Sequence, residues 1–166
     1  HLKEQAGAAL SAAAALKTQP EELLTRIESL QEDRKRLEKE LVAARKKAAT
    51  GGGGAKAETI GDIAFTGAVM EGLPAKELRG LIADALKASE KAVAAFVAVN
   101  DGKASVSIGV SPAITSRISA PDLVKAAVET LGGQGGGGKP DLAHGGGPNA
   151  HKAEDALAAV KARLSA

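Results

Sequence analysis

The amino-acid sequence predicts a mixed α/β fold: a long N-terminal helical arm or coiled coil, followed by a small globular α/β domain. Three observations carry this expectation. An apolar series from Leu23 to Leu41 recurs at alternating steps of four and three residues. Four glycines at 51–54 interrupt it. Beyond them, Asn100-Asp101-Gly102 separates two strand-like runs. The expected division is an arm over 1–49, kinked near 17–20, a glycine-rich linker over 50–56 and a globular domain over 57–166.

In the arm, Ala8 to Leu16 is nearly all alanine, the best helix former. Thr18-Gln19-Pro20-Glu21 then reads as a restart, with Thr18 as cap, Pro20 in the first turn and Glu21 placed for a capping box. In heptads, Leu23, Leu30 and Leu37 take position d and Ile27, Arg34 and Leu41 take position a. Residues 19–49 would form a rod about 46 Å long. This stripe either folds back onto residues 1–16 or serves as an arm toward a partner or another domain. Arg34 in the seam argues against a tight symmetric dimer through this helix alone.

In the globular part, Ile60 to Val69 reads as a strand, and Leu73-Pro74 opens a helix with Leu78, Leu81, Ile82, Ala85 and Leu86 on one face. Ala92 to Val99 lacks polar alternation, as in a strand covered on both sides. After the Asn100-Asp101-Gly102 turn, residues 103–110 alternate, with Ala104, Val106, Ile108 and Val110 on one face. Ser119-Ala120-Pro121-Asp122 caps a helix from Pro121 to about Leu131. Asn149 is placed to cap a last helix burying Ala153, Leu157, Val160 and Leu164.

Composition narrows the functional classes. The chain lacks cysteine, which removes disulfides, thiolate nucleophiles and cysteine-ligated zinc. Its longest apolar runs, Ala12 to Leu16 and Ala92 to Val99, fall well short of the roughly 20 residues that span a bilayer. With no signal-peptide pattern either, a soluble cytoplasmic protein without a membrane role is expected. The two phenylalanines, Phe65 and Phe96, are the only aromatics, which disfavours single-strand binding by base stacking. Net charge is +2 and decides nothing about nucleic acid, because the footprint of such a protein is a patch.

Glycine dominates residues 132–147. Glycine admits positive φ and close approach, and successive amides in such turns can form an anion-binding nest beside Lys139. A tight loop for close packing explains the same composition. Neither nucleotide-binding motif fits, since the segment follows a helix and Lys139 precedes Pro140. His144, Asp141 and His151 lack the further ligands a metal site needs. Ser111, Ser119 and Asp141 form no recognisable triad, so no catalytic or metal residue is assigned.

The string Gly132-Gly-Gln-Gly-Gly-Gly-Gly-Lys-Pro-Asp-Leu-Ala-His-Gly-Gly-Gly147 closely resembles the GGKGGGRPDMAQGGG-type signature at the C-terminus of bacterial alanyl-tRNA synthetases. That domain is related to the nucleic-acid-binding domain beside DHH phosphoesterase domains. The resemblance extends through the charged arm, the glycine joint, Asp101-Gly102-Lys103 and Val110-Ser111 leading to Thr115-Ser116-Arg117. Departures fall at Gln134, Lys139 and His144, where the family often shows Lys, Arg and Gln. Lys139 keeps the charge but loses the arginine fork.

The resemblance implies a domain that grips the outer corner of tRNA-Ala, supports aminoacylation and editing by upstream catalytic and editing domains of the same chain, and in some relatives promotes a homodimer. The synthetase motifs, with their ATP, magnesium and zinc, would lie upstream, leaving this stretch non-catalytic and without a cofactor. The candidate RNA contacts are Lys103, Arg117, Lys125 and Lys139, with the backbone of Gly135, Gly136, Gly137, Gly138, Gly145, Gly146 and Gly147. The alternatives are a structural homodimerisation module and the substrate clamp of a DHH-type phosphoesterase.

Overall fold

The computed structural model describes residues 2–51 and 55–166, so most of the glycine run at 51–54 lies outside the described residues. Two compact units divide the chain, His1–Ala43 and Ala44–Ala166. In the first, helix α1 spans Leu2–Ala15, and helix α2, Leu23–Gly51, begins there after a 3-10 turn at Pro20–Glu22. The break comes from Lys17, whose φ of 51° leaves the helical region. The restart differs from expectation: Gln19, not Thr18, holds the extended N-cap position and no side chain caps it. With the 3-10 turn starting one residue later, the Thr18 hydroxyl reaches the Glu22 carboxylate instead, at 3.3 Å.

Helix α1 leaves the α2 stripe uncovered, with Ile27 37%, Leu30 38%, Leu37 57% and Leu41 49% exposed. Short-range ion pairs line the same helix, among them Arg36 with Asp33 and Arg34 with Glu38. Such pairs support a solvated helix modestly, at about 0.3–0.5 kcal/mol each.

The second unit is built on a six-stranded sheet ordered β1-β2-β3-β4-β6-β5. Its strands are β1 (Lys56–Ile60), β2 (Ile63–Glu71), β3 (Ala92–Asn100), β4 (Lys103–Val110), β5 (Gly136–Lys139) and β6 (Leu142–Gly147). Helix α3 (Leu78–Leu86) carries the crossover from β2 to β3, the sheet's one parallel pair. Helix α4 (Ala120–Thr130) and helix α5 (Ala153–Ser165) complete the unit. The mixed α/β class expected from the sequence is the class observed.

Three local readings change. The single strand expected over Ile60 to Val69 is a hairpin, turned at Gly61 with φ 63° and with Ile60 paired to Ile63. Gly61-Asp62 is itself a two-residue hairpin signal that the apolar run around it obscured. The glycine segment is not a loop: β5 and β6 form a hairpin at the edge of the sheet. Asn149 precedes a 3-10 turn, and Lys152 stands at the N-cap of α5. By contrast, Asp101 and Gly102 both have positive φ, the geometry of the tight turn expected between β3 and β4. Ser119 accepts the Asp122 amide at the start of α4.

One phenylalanine serves each side of the sheet. Phe65 joins Val93, Val97, Val106, Ile108, Val124, Val128 and Val160 in the core between the sheet and α4 and α5. Phe96 alternates with Val97, so it points to the opposite face, where α3 buries Leu78, Leu81 and Ile82. Buried Ser111 is a structural residue: its hydroxyl accepts the Ala92 amide and donates to the Ser89 carbonyl, tying the end of β4 to the start of β3.

Candidate nucleic-acid interface

The two faces of the sheet are covered unequally. Helices α4 and α5 pack on one face, while on the other α3 packs chiefly against β3 and β4. The pleat then sorts the side chains. Val106 and Ile108 belong to the core under α4, so Lys103, Ser105, Ser107 and Gly109 share the opposite face. Register extends this face across the sheet: Ser105 opposite Gly146, Ser107 opposite His144 and then Gly137, Gly109 opposite Leu142 and then Lys139.

The glycines divide along the same line. A Cβ at Gly145 would lie 2.5 Å from Val128, and one at Gly136 would lie 2.6 Å from Val124, so these two let α4 settle onto the strands. Gly137, turned to the other face, has nothing within 4 Å of a built Cβ. The result is a flat, bare stretch of backbone on the side away from α4. Its groove of about 560 Å³ is lined by Lys76 and Arg79 from the approach to α3 and from its first turn, by Ser105 and Ser107, and by His144 and Gly145. These lining residues include no carboxylate.

The candidate residues fall into two groups. Lys103, Gly137, Gly146 and Lys139 lie on this platform by strand parity. Arg117 and Lys125 do not. They line a separate groove of about 390 Å³ against α4 and α5, together with Arg163 and the carboxylates of Asp122 and Glu129. Gly145 has a ladder partner on each side, Val106 and Gly136, so its backbone is engaged within the sheet. Gly138 and Gly147 pack against the Leu142 and Leu131 carbonyls respectively, and Gly135 stands open just before β5. Strand β5 is an edge, so every second amide along it faces outward. Sequence reasoning missed Lys76 and Arg79, since only the crossover brings them beside β4 and β6.

The DHHA1 domain family model matches residues 62–166. The chain belongs to this family. Among solved structures, the C-Ala domain of Aquifex aeolicus alanyl-tRNA synthetase is 32% identical, covers 67% of this chain and 99% of its own, and superposes with a TM-score of 0.63. Alanine–tRNA ligases of Sphingopyxis alaskensis and Rhizorhabdus wittichii are 53% and 55% identical over 93% of this chain. The chain spans only 18% of the length of each. A DHH-domain protein described as belonging to a family of ribosomal proteins, 21% identical with a TM-score of 0.51, shares the fold.

Within this DHHA1 domain, Arg117 has a structural partner. Its guanidinium donates to Asp62 Oδ2 at 3.2 Å, beside Lys91 Nζ at 2.8 Å, tying the loop before α4 to the β1–β2 turn. The hydrogen bond from Lys91, then that from Arg117, holds the Asp62 carboxyl below the usual aspartate range. Among the described residues no cluster of three or more metal-ligating side chains occurs, and no helix is long and apolar enough to cross a membrane.

Proposed function

We propose that this chain is the tRNA-binding part of a cytoplasmic alanyl-tRNA synthetase. In this reading the ligase chemistry, with its ATP, magnesium and zinc, belongs to upstream catalytic and editing domains, and the chain itself holds the outer corner of tRNA-Ala. The observation that supports it is the platform: flat glycine backbone, two serine hydroxyls and a rim of Lys76, Arg79, Lys103 and Lys139, with no carboxylate in its groove. A bare strand surface lets a base pair or a sugar–phosphate backbone come close, and lysine and arginine supply the phosphate contacts that set affinity. Serine hydroxyls can meet ribose 2′-hydroxyls.

A gel-shift titration with tRNA-Ala, an unrelated tRNA and a single-stranded RNA of equal length, at two salt concentrations, tests this. Binding of both tRNAs, weakened by salt, with no binding of the single strand is expected. Replacing Lys76 and Arg79 together by alanine should weaken tRNA binding at least about tenfold and flatten the salt slope by about one contact per residue removed. Lys125→Ala, on the other side of the sheet, should change it little. A loss from Lys125→Ala alone would move the interface to the α4–α5 groove.

A second role rests on the uncovered stripe of α2. In a parallel pair, Arg34 would meet Arg34 of the second copy in the seam, and Asp33 would face its Glu38. In an antiparallel pair, Leu23 faces Leu41, Ile27 faces Leu37 and Arg34 faces Leu30, while Arg26 reaches Glu40. The antiparallel register sets Asp33 against Asp33 of the second copy but keeps the apolar pairs and separates the two Arg34 side chains, so we assign α2 to a weak antiparallel homodimer in which Arg34 disfavours the parallel form. Because the chain lacks cysteine, the test is clean. An equimolar mixture of Ile27→Cys and Leu37→Cys chains should form a disulfide-linked heterodimer, whereas self-linking of Ile27→Cys alone would reverse the orientation.

A further inference from the structure

We propose that His144 makes the platform a pH-dependent binder of phosphate, so that RNA is held more tightly in mildly acidic than in mildly alkaline solution. This role rests on reading the platform as the RNA-binding surface, and it adds a residue that the sequence presents only as a polar loop position.

His144 is exposed in the middle of β6, directly opposite Ser107 of β4 on one side and Gly137 of β5 on the other. The missing side chain at Gly137 leaves one flank of the imidazole open, and the groove floor beside it is the β4 serine row. The charged residues that line the groove are cationic, and the carboxylate that the same approach carries, Glu77 between Lys76 and Arg79, is not among its lining residues. The approach to α3 and its first turn contribute Lys76 and Arg79, β4 contributes Lys103 and β5 contributes Lys139. Helix α4 packs on the far face. No carboxylate lines the groove to offset an imidazolium.

An imidazole titrates between about pH 5 and 8 and, when protonated, donates from both nitrogens. A phosphate seated in the groove brings negative charge beside the ring and favours its protonated form over that in the empty groove. Binding therefore takes up a proton, and by linkage a lower pH strengthens binding. A glutamine at this position would keep a hydrogen-bond donor but could not titrate.

The test is the affinity of this chain for tRNA-Ala between about pH 8 and pH 5.5 at fixed ionic strength, a window spanning the imidazole range. Affinity should rise about three- to tenfold on acidification, the yield of half to one unit of proton linkage. The salt dependence should steepen by about one phosphate contact. His144→Gln should keep the high-pH affinity and lose the rise, while His151→Gln, at the 3-10 turn before α5, should keep it. A flat profile in the unmodified chain, or a rise that persists in His144→Gln, overturns the role of His144 while the platform reading stands. Failure to bind tRNA at any pH overturns both.

Discussion

Replacing Gly147 by alanine is expected to destabilise the second unit by about 3 kcal/mol, lowering its melting temperature by roughly 10–20 °C. The added Cβ would lie 2.3 Å from the Leu131 carbonyl oxygen, 2.7 Å from its carbon and 2.8 Å from the Gly133 nitrogen. All three are main-chain atoms at the end of α4. They are fixed in turn: Gly133 N–H donates to the Val128 carbonyl and Asn149 N–H to that of Leu131, both near 3 Å. No rotamer change relieves such a contact, so either the end of β6 or the end of α4 must come away. Gly137→Ala, ten residues earlier in the same glycine-rich segment, meets nothing within 4 Å. It should be neutral or slightly stabilising, by about 0.5 kcal/mol, because alanine restricts the unfolded chain. Parallel thermal melts of the two variants decide the matter. Similar losses from both would mean that the glycines serve conformation rather than close approach.

Phe96→Ala is expected to cost about 3–5 kcal/mol, a large share of the roughly 5–15 kcal/mol that holds a domain together. Phe96 is 1% exposed at the centre of β3, paired with Ala68 of β2 and Ser107 of β4. Its same-face neighbours on the strand, Ala94 and Ala98, are too small to fill the space it leaves. The cavity would open under α3, whose packing holds Lys76 and Arg79 beside the platform, so RNA affinity should fall together with stability. Phe96→Leu should cost under about 1.5 kcal/mol by keeping most of the volume. Denaturant midpoints with unchanged slopes would establish the difference. A loss below about 1 kcal/mol for the alanine variant would show that α3 contributes little to the fold.

Much of this architecture is legible in the sequence, wherever one local rule acts without competition. Asn100-Asp101-Gly102 demands two positive φ angles, Ser119 with Pro121 and Asp122 starts a helix, and uninterrupted apolar residues in β3 require cover on both sides. The class of fold follows from such local facts, and the family from the resemblance of the glycine-rich string at 132–147 to a known signature. The β5–β6 hairpin was not legible, because glycine has no strand preference of its own. Those residues are strands because Ala104 to Gly109 offers a ladder and α4 offers a surface that only glycine can approach. Nor could sequence divide the basic residues. Lys103 and Lys139 share a face with Lys76 and Arg79, while Arg117 and Lys125 lie across the sheet, because strand parity and the α3 crossover decide which side chains meet. Sequence by itself determined the β3–β4 turn, the start of α4 and the double cover of β3, since those are contests among neighbouring residues. Tertiary structure alone decided where the charges converge, since that depends on register and layer, which join residues far apart in the chain.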